Sequence, residues 1–345
     1  MGEYIFEKEE HRVLREQARR FAEKEIAPHA LEWEEAGEFP RELYRRAAEA
    51  GLLGLGYPED CGGAGGDISH SVVTSEEMVL AGRSVGTCVG LGSHGIALPP
   101  IVRFGTEEQK ERFVRPVLRG EKIAALAITE PGGGSDVASL RTRAVRDGDC
   151  YVVNGSKTFI TSGCRADIVT VAVRTGGEKH AGISLLVIER GTPGFSVARK
   201  LDKMGWWASD TAELVFEDCR VPAENLIGEE GAGFPAIMMN FVTERLFLAA
   251  QCVAIAELAY REAVSYARER VAFDKPLVGF QVIRHKLAEM ATRLAAARAL
   301  TGECVVRYLQ GDERPSLAAM AKNTATDMCS FVTDQAVQIH GGYGY

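Results

Sequence analysis

Apolar residues recur at three- and four-residue spacing along the first third of the chain. Between Glu7 and Ala27, Leu14, Ala18, Phe21 and Ala22 share one helical face, and Pro28 interrupts the pattern. Pro40 opens a second helix, with Gly51 where a C-cap belongs. The run Tyr57–Asp67 is rich in breakers, and Ser69–Arg83 returns to helical spacing. Thr106 followed three residues on by Gln109 is a capping box that starts a helix running toward Leu118.

The period then shortens. From Ile123 to about Pro222, short β-rich runs alternate with tight turns. Asp147-Gly148-Asp149 joins two strands as a hairpin, and Asn154-Gly155 is expected to make the next turn, before Thr158–Thr161. Ile168–Val173, Ile183–Ile188, Phe195–Ala198 and Glu213–Phe216 continue the series, as in a small barrel or sandwich. Beyond Gly233 the helical period returns in three long stretches, about 234–271, 277–310 and 315–340, the pattern of an antiparallel bundle. The expected architecture is multi-domain α+β. It has a helical N-terminal domain over 1–122, a middle β-barrel or sandwich domain over 123–232 and a C-terminal helical bundle over 233–345.

Composition narrows the functional classes. The 345 residues are 46% hydrophobic and 26% charged, an ordinary globular balance. A net charge of −8 with no basic block disfavours nucleic acid and anionic membranes as partners. The stretch Leu246–Ala256 is too short to span a bilayer, and Met1–Glu10 lacks an apolar signal core, so membrane insertion is not expected. The eight cysteines are scattered without a Cys-x-x-Cys pair and no His-Glu-x-x-His occurs, which fits cytoplasmic thiols and no metal site.

Gly90-Leu91-Gly92-Ser93-His94-Gly95 matches the dinucleotide fingerprint in letters only. That fingerprint needs a strand before it and a helix after it. Here the preceding segment is helical and Pro99-Pro100 follows, so the glycines are read as close helix packing. Ile128-Thr129-Glu130-Pro131-Gly132-Gly133-Gly134-Ser135-Asp136 carries more chemistry. Consecutive glycines let backbone amides approach a ligand and can cradle a pyrophosphate, although the loop alone reads equally as a surface turn. Lys157-Thr158-Phe159-Ile160-Thr161-Ser162-Gly163 ends a strand in an aromatic and hydroxyls.

Together, T-E-P-x-x-G-S-D and K-x-[FW]-I-T-x-G resemble the middle domain of the acyl-CoA dehydrogenase family. The resemblance extends through Phe104–Lys110, Lys203-Met204-Gly205 with Ser209 and Thr211, Val221-Pro222 with Asn225-Leu226 and Gly228, and the closing Gln338–Tyr345. It implies FAD. Leu126, Ile128, Thr129 and Thr161 would contact the flavin ring, Phe159 and Ile160 would flank its other edge, and Gly134 and Ser135 would meet the pyrophosphate. Arg270, Phe273, Gln281, Gln338, Gly341 and Gly342 match positions that reach the ADP half across a subunit interface, which implies a homo-oligomer, in this family a tetramer. Ala272 stands where relatives carry a hydroxyl, and Asp274 replaces a common Gly. Tyr345 falls inside the family's G-G-x-G-Y run, so the resemblance implies a bundle truncated before its closing turn and helix.

Removing an α-proton while a β-hydride leaves requires a base, and a carboxylate suits if burial raises its pKa. Asn240-Phe241-Val242-Thr243-Glu244-Arg245-Leu246 resembles the isovaleryl- and long-chain-like branch, whose base is a Glu on the first helix of the bundle. Glu244 is thus the implied base, with Ser135, Phe241 and Arg245 toward the acyl-CoA, although a generic helix would carry Glu244 and Arg245 as solvated charges. The implied activity is dehydrogenation of a fatty or branched acyl-CoA to the trans-2-enoyl thioester, as in β-oxidation, with an electron-transfer flavoprotein as acceptor. The rival readings are a same-fold oxidase or monooxygenase using oxygen, and a non-catalytic acyl-CoA-binding chain.

Overall fold

The computed structural model describes residues 2–345. Helices run to Leu118, strands occupy Ala124–Ile227, and helices return from Gly233, in the order read from the sequence. Contacts nevertheless group the chain into two compact units that cut across the boundaries expected at 122/123 and 232/233. The first takes residues up to Ala27, Gly66–Val85 and Val242–Tyr345, and the second takes Pro28–Gly65 and Gly86–Phe241.

The first unit is helical: α1 (Glu9–Glu25), α2 (Ile68–Gly82), α3 (Gly233–Glu269, from Val242 on), α4 (Gln281–Leu309) and α5 (Pro315–His340). Leu246, Val253, Met290, Leu294, Val332 and Ile339 fill one core. Buried charge also joins its helices. Arg298 of α4 bridges Glu76 of α2 and Glu257 of α3, and Arg15 of α1 reaches Glu76 at 2.7 Å and Glu77 at 3.3 Å. This explains why sequence-distant segments share a unit: Glu76 and Glu257 are almost wholly buried, and buried carboxylates need cationic partners. α1 and α2 open on related caps, since Lys8 N donates to His11 Nδ1 and Asp67 N to His70 Nδ1, each at 3.1 Å. Histidine takes the place that Glu or Gln fills in a capping box.

The second unit is built on β1 (Ala124–Ala127), β2 (Arg143–Asp147), β3 (Cys150–Thr161), β4 (Ile168–Arg174), β5 (Ile183–Glu189), β6 (Phe195–Lys200), β7 (Thr211–Pro222) and β8 (Leu226–Ile227). They form one eight-stranded sheet, ordered β6-β7-β3-β2-β4-β5-β8, with β1 parallel to β4. Tyr151, Val153 and Leu214 of one part of the sheet meet Val169, Val171 and Leu186 of another in a single core. Ile168, Leu185 and Val187 point the other way and pack with Leu98, Ile101 and Phe113 from the short helices. Both faces of β4 and β5 are therefore covered, which is why they read as nearly unbroken apolar runs.

Two expectations change. Asn154-Gly155 is not a turn, because β3 continues through it as a bulge with a register shift against β7. Asn154 and Asp218 are bonded there in both directions, Nδ2 to Oδ1 at 3.1 Å and Asp218 N to Asn154 Oδ1 at 2.8 Å. The absence of any stretch long and apolar enough to cross a membrane, expected from Leu246–Ala256, also changes, since Val85–Phe104 meets that length with a mean hydropathy of 1.3. That stretch is broken into Val85–Leu91, His94–Ala97 and Pro99–Phe104. Its Ala97 carbonyl accepts from Thr170 Oγ1 at 3.0 Å and Ser93 Oγ donates to Ala124 O at 3.0 Å, so it lies against the sheet as core.

Candidate active site

The glycine turn after β1 is held at its base and open at its rim. Glu130 N donates to Gly133 O at 3.1 Å, and Gly133 N returns a bond to Glu130 O at 3.0 Å. The next amides, Gly134 N and Ser135 N, have no acceptor among the described residues, and Pro131–Asp136 is exposed. A Cβ on Gly134 would come 3.2 Å from Thr129 Cγ2, so the glycine lets the backbone fold closely over Thr129. Unfilled N–H donors on such a turn form a nest for an anion.

The end of β3 lies beside this turn. Thr158 N donates to Thr129 O at 2.9 Å. Against β7, Lys157 pairs with Leu214 and Ile160 with Ala212, so Thr158 and Phe159 together oppose the single residue Glu213. At this bulge Phe159 takes a left-handed φ of 60° and leaves its ring 67% exposed. A non-glycine residue in that conformation is strained, and its neighbours must hold it there. Half-buried Leu126, Thr129 and Thr161 lie on the same two segments, and neither threonine hydroxyl has a partner among the described residues. The side chains of Ile128 and Ile160 are buried in apolar cores, which leaves their backbone for a ligand.

On α3, Phe241, Glu244 and Arg245 are all half-buried, at a spacing that puts Phe241 one turn before the carboxylate. Glu244 makes no hydrogen bond or ion pair with the described residues. Burial raises its carboxyl pKa above the usual range, opposed only by the adjacent Arg245 charge. The carboxylate is thus partly desolvated, unlike a charge on a fully solvated helix face.

The remaining predicted residues lie in the first unit. Arg270, Gly341 and Gly342 line one cavity of about 420 Å³ together with Tyr266, His340 and Tyr343. Phe273 and Gln281 are exposed nearby in sequence, and Gln338 is exposed near the end of α5, but none of the three lines that cavity. Ala272 and Lys275 pair across a two-residue turn in which Phe273 (φ 52°) and Asp274 (φ 62°) are both left-handed. Asp274 thus adopts the conformation that glycine commonly supplies.

The other candidates resolve as structure. A Cβ on Gly90 would meet Phe39 at 2.7 Å, and Tyr44 Oη donates to Gly90 O, so this glycine serves packing. His94 contacts the carbonyls of Leu91 and Leu53 at 3.1 and 3.0 Å, and burial lowers its pKa. Glu10, His11 and His70 lie close enough to hold a metal ion. Both imidazole Nδ1 atoms, however, already accept cap N–H bonds. Nε2 must then carry the proton, and His11 Nε2 is bonded to Ser69 Oγ at 2.8 Å, so the tautomers oppose ligation.

Sequence reasoning missed the partnership of Lys157 with Glu130. Lys157 is wholly buried, and its Nζ donates to Glu130 Oε1 at 2.8 Å and to Ile128 O at 2.9 Å. Its signal was a lone cation in a strand end otherwise made of hydroxyl and apolar side chains.

Along the chain, a strand-rich middle with an anion-nesting turn and an exposed aromatic is flanked by helical segments, one of which carries a raised-pKa carboxylate, a set of parts suited to a nucleotide-dependent redox enzyme. Family models for the N-terminal, middle and C-terminal domains of acyl-CoA dehydrogenases match residues 8–121, 125–219 and 231–345. The chain belongs to the acyl-CoA dehydrogenase family; it is an oxidoreductase acting on acyl-CoA, with FAD as cofactor. It is 41% identical over 342 residues to the mouse long-chain specific acyl-CoA dehydrogenase, covering 97% of this chain and 78% of that one. It is 42% identical to the short-chain specific enzyme of Megasphaera elsdenii, covering 94% and 86%. The crystal structure of a probable acyl-CoA dehydrogenase from Mycobacterium abscessus superposes with a TM-score of 0.97 at 55% identity, covering 98% of this chain and 90% of that one. The donor set fits FAD: open amides at Gly134 and Ser135 suit a pyrophosphate, and the unpartnered hydroxyls of Thr129 and Thr161 suit the polar edge of a ring.

Proposed function

We propose that this enzyme converts a fatty or branched acyl-CoA to its trans-2-enoyl-CoA with Glu244 as base, and passes the electrons to an electron-transfer flavoprotein. The observation that carries the role of Glu244 is a half-buried helix carboxylate whose pKa is raised by desolvation and which no cation neutralises by direct contact. Bound FAD supplies the hydride acceptor. The Glu244 carboxylate takes the α-proton, Phe241 and Arg245 position the thioester and CoA, and Ser135 contributes to both cofactor and substrate. Gly134 and Ser135 amides hold the pyrophosphate, while Thr129 and Thr161 orient the ring. The chain works as a cytoplasmic homotetramer, in which Arg270, Phe273, Gln281, Gln338, Gly341 and Gly342 serve the ADP half of a neighbour's cofactor. The 88% exposed Phe273 ring supports such an interface.

Acyl length is not decided by likeness, since the long-chain and short-chain relatives are 41% and 42% identical. Anaerobic titration with straight and branched acyl-CoA thioesters, read by flavin bleaching, assigns it. In the same assay Glu244→Gln should still bind substrate but bleach at least about 10³-fold more slowly, the scale of losing a general base. Bleaching at the native rate removes Glu244 from the role. Millisecond reoxidation of the reduced enzyme in air, without a carrier protein, would replace the flavoprotein acceptor by oxygen.

A further inference from the structure

Lys157 and Glu130 are opposite charges buried together in the second unit, and neither has a part in the chemistry described so far. The Glu130 carboxylate joins three stretches of chain. Its Oε1 accepts from Lys157 Nζ and from Thr142 N, both at 2.8 Å, and its Oε2 accepts from Arg141 N at 2.6 Å. Lys157 adds a bond to Ile128 O, one residue before Thr129. Thr142 Oγ1 closes the arrangement on Ser156 O at 3.2 Å. The carboxylate thus ties the stem of the glycine turn, the entry to β2 and the last regular residue of β3 before the bulge.

A buried ion pair is a poor device for stability alone, because desolvation offsets most of the attraction, and apolar replacement of similar volume is often neutral or better. Its distinctive property is geometry: two charges with several fixed bonds permit one arrangement of the segments they join. The segments joined here carry Thr129 on one side and the strained Phe159 on the other. From this we propose that the Lys157–Glu130 pair is a positioning clamp for FAD, holding the glycine turn and the Phe159 bulge at the separation that admits the flavin. This rests on the assignment of Thr129, Gly134, Ser135 and Phe159 to the cofactor.

Protonation supports the clamp. Burial lowers the Lys157 pKa to about 8, against the pull of Glu130. The other charges near this end of β3 are Glu213 of β7, 3.5 Å from Thr158 Oγ1, and Arg199 of β6, which pairs with Glu213 at 2.9 Å. As pH rises through about 8, Lys157 becomes neutral in the fold and Glu130 is left a buried carboxylate without its cation. The unfolded chain keeps that proton to higher pH, so this group does not lower folding stability over the same interval. Positioning and stability therefore respond differently to pH.

The test is FAD binding by the apo-protein, followed by quenching of flavin fluorescence from pH 7 to 9, beside thermal unfolding of the FAD-free protein at each pH. The native protein should lose FAD affinity across this interval with no matching fall in unfolding temperature. Glu130→Gln, nearly isosteric, and the double variant Lys157→Met/Glu130→Gln should stay folded, bind FAD at least tenfold more weakly at pH 7 and lose the pH dependence. Native affinity in a folded Glu130→Gln variant overturns the clamp, as does an unchanged pH profile. Thr129→Val and Thr161→Val, which remove the two hydroxyls assigned to the ring, are the controls for the assignment beneath it. If they leave FAD affinity untouched, the cofactor assignment fails; if they weaken it while the clamp variants do not, only the clamp fails.

Discussion

Arg298→Met tests whether buried charge holds the first unit together. Arg298 is 7% exposed and is the only cation that bridges Glu76 of α2 to Glu257 of α3 among the described ion pairs. Methionine fills much of the same volume and leaves both carboxylates buried. Removing one partner of a buried pair costs about 3–5 kcal/mol. Arg15 still pairs with Glu76 at 2.7 Å and Arg261 with Glu257, which places the ionic loss near the lower figure, about 3 kcal/mol. The guanidinium also sits 4.8 Å above the Tyr4 ring, a contact worth about 1 kcal/mol. The sum, about 4 kcal/mol, lowers the melting temperature by roughly 8–16 °C. The assay is thermal unfolding by circular dichroism at saturating FAD, with Arg19→Met as control. Arg19 pairs with Glu77 at 2.7 Å but is half exposed, so its loss should cost under about 1 kcal/mol. Equal effects of the two substitutions would refute the argument that burial gives the bridge its weight.

Gly155→Ala should destabilise by about 2–4 kcal/mol through overpacking and backbone strain, because a Cβ there would sit 2.7 Å from Thr142 Cα at a φ of 147°; denaturant unfolding measures it, and a cost under about 0.5 kcal/mol counts against a fixed bulge. Burial and then the neighbouring His70 lower the His11 pKa, so the fold holds it neutral. Its contribution is complete above the free-imidazole value of about 6.5 and is lost as pH falls from there toward the folded value. His11→Gln preserves the capping box, so unfolding followed from pH 7 to 5 should show a shallower loss than the native chain, and identical slopes would exclude the cap as the acid-sensitive element.

The helices were legible because their signals are local. Thr106 and Gln109 bond as a capping box with distances of 3.0 and 3.3 Å, and Gly51 ends its helix with a φ of 70°. Pro276 and Pro315 mark the breaks between the long helices that the apolar period located. The grouping of those helices was not legible. α1 and α2 join α3 and α4 through Arg15, Glu76, Glu257 and Arg298, residues that look like solvated charges when met singly in a helical pattern. Their burial depends on one another, and no window of neighbouring residues contains that information. Asn154-Gly155 failed for a related reason: the dipeptide favours a left-handed turn, but Asp218 on β7 satisfies the Asn154 side chain and lets the strand continue.

The candidate site shows the opposite conflict between local preference and tertiary demand. Phe159, Phe273 and Asp274 all occupy left-handed backbone, which local preference would give to glycine. Composition and periodicity would read Phe159 as an ordinary core residue of a strand end. Its ring is instead 67% exposed, displaced by a bulge whose base is fixed by Lys157 and Thr158. Phe273 is 88% exposed on a two-residue turn. Among the described residues Phe273 meets only the edge of the Phe280 ring at 6.1 Å, and an exposed aromatic in a strained conformation adds little burial to the isolated fold, the pattern of a side chain kept for a contact outside it. The motif pattern singled these residues out while propensity did not, because a motif can record the demand of a ligand and propensity records only the demands of the chain.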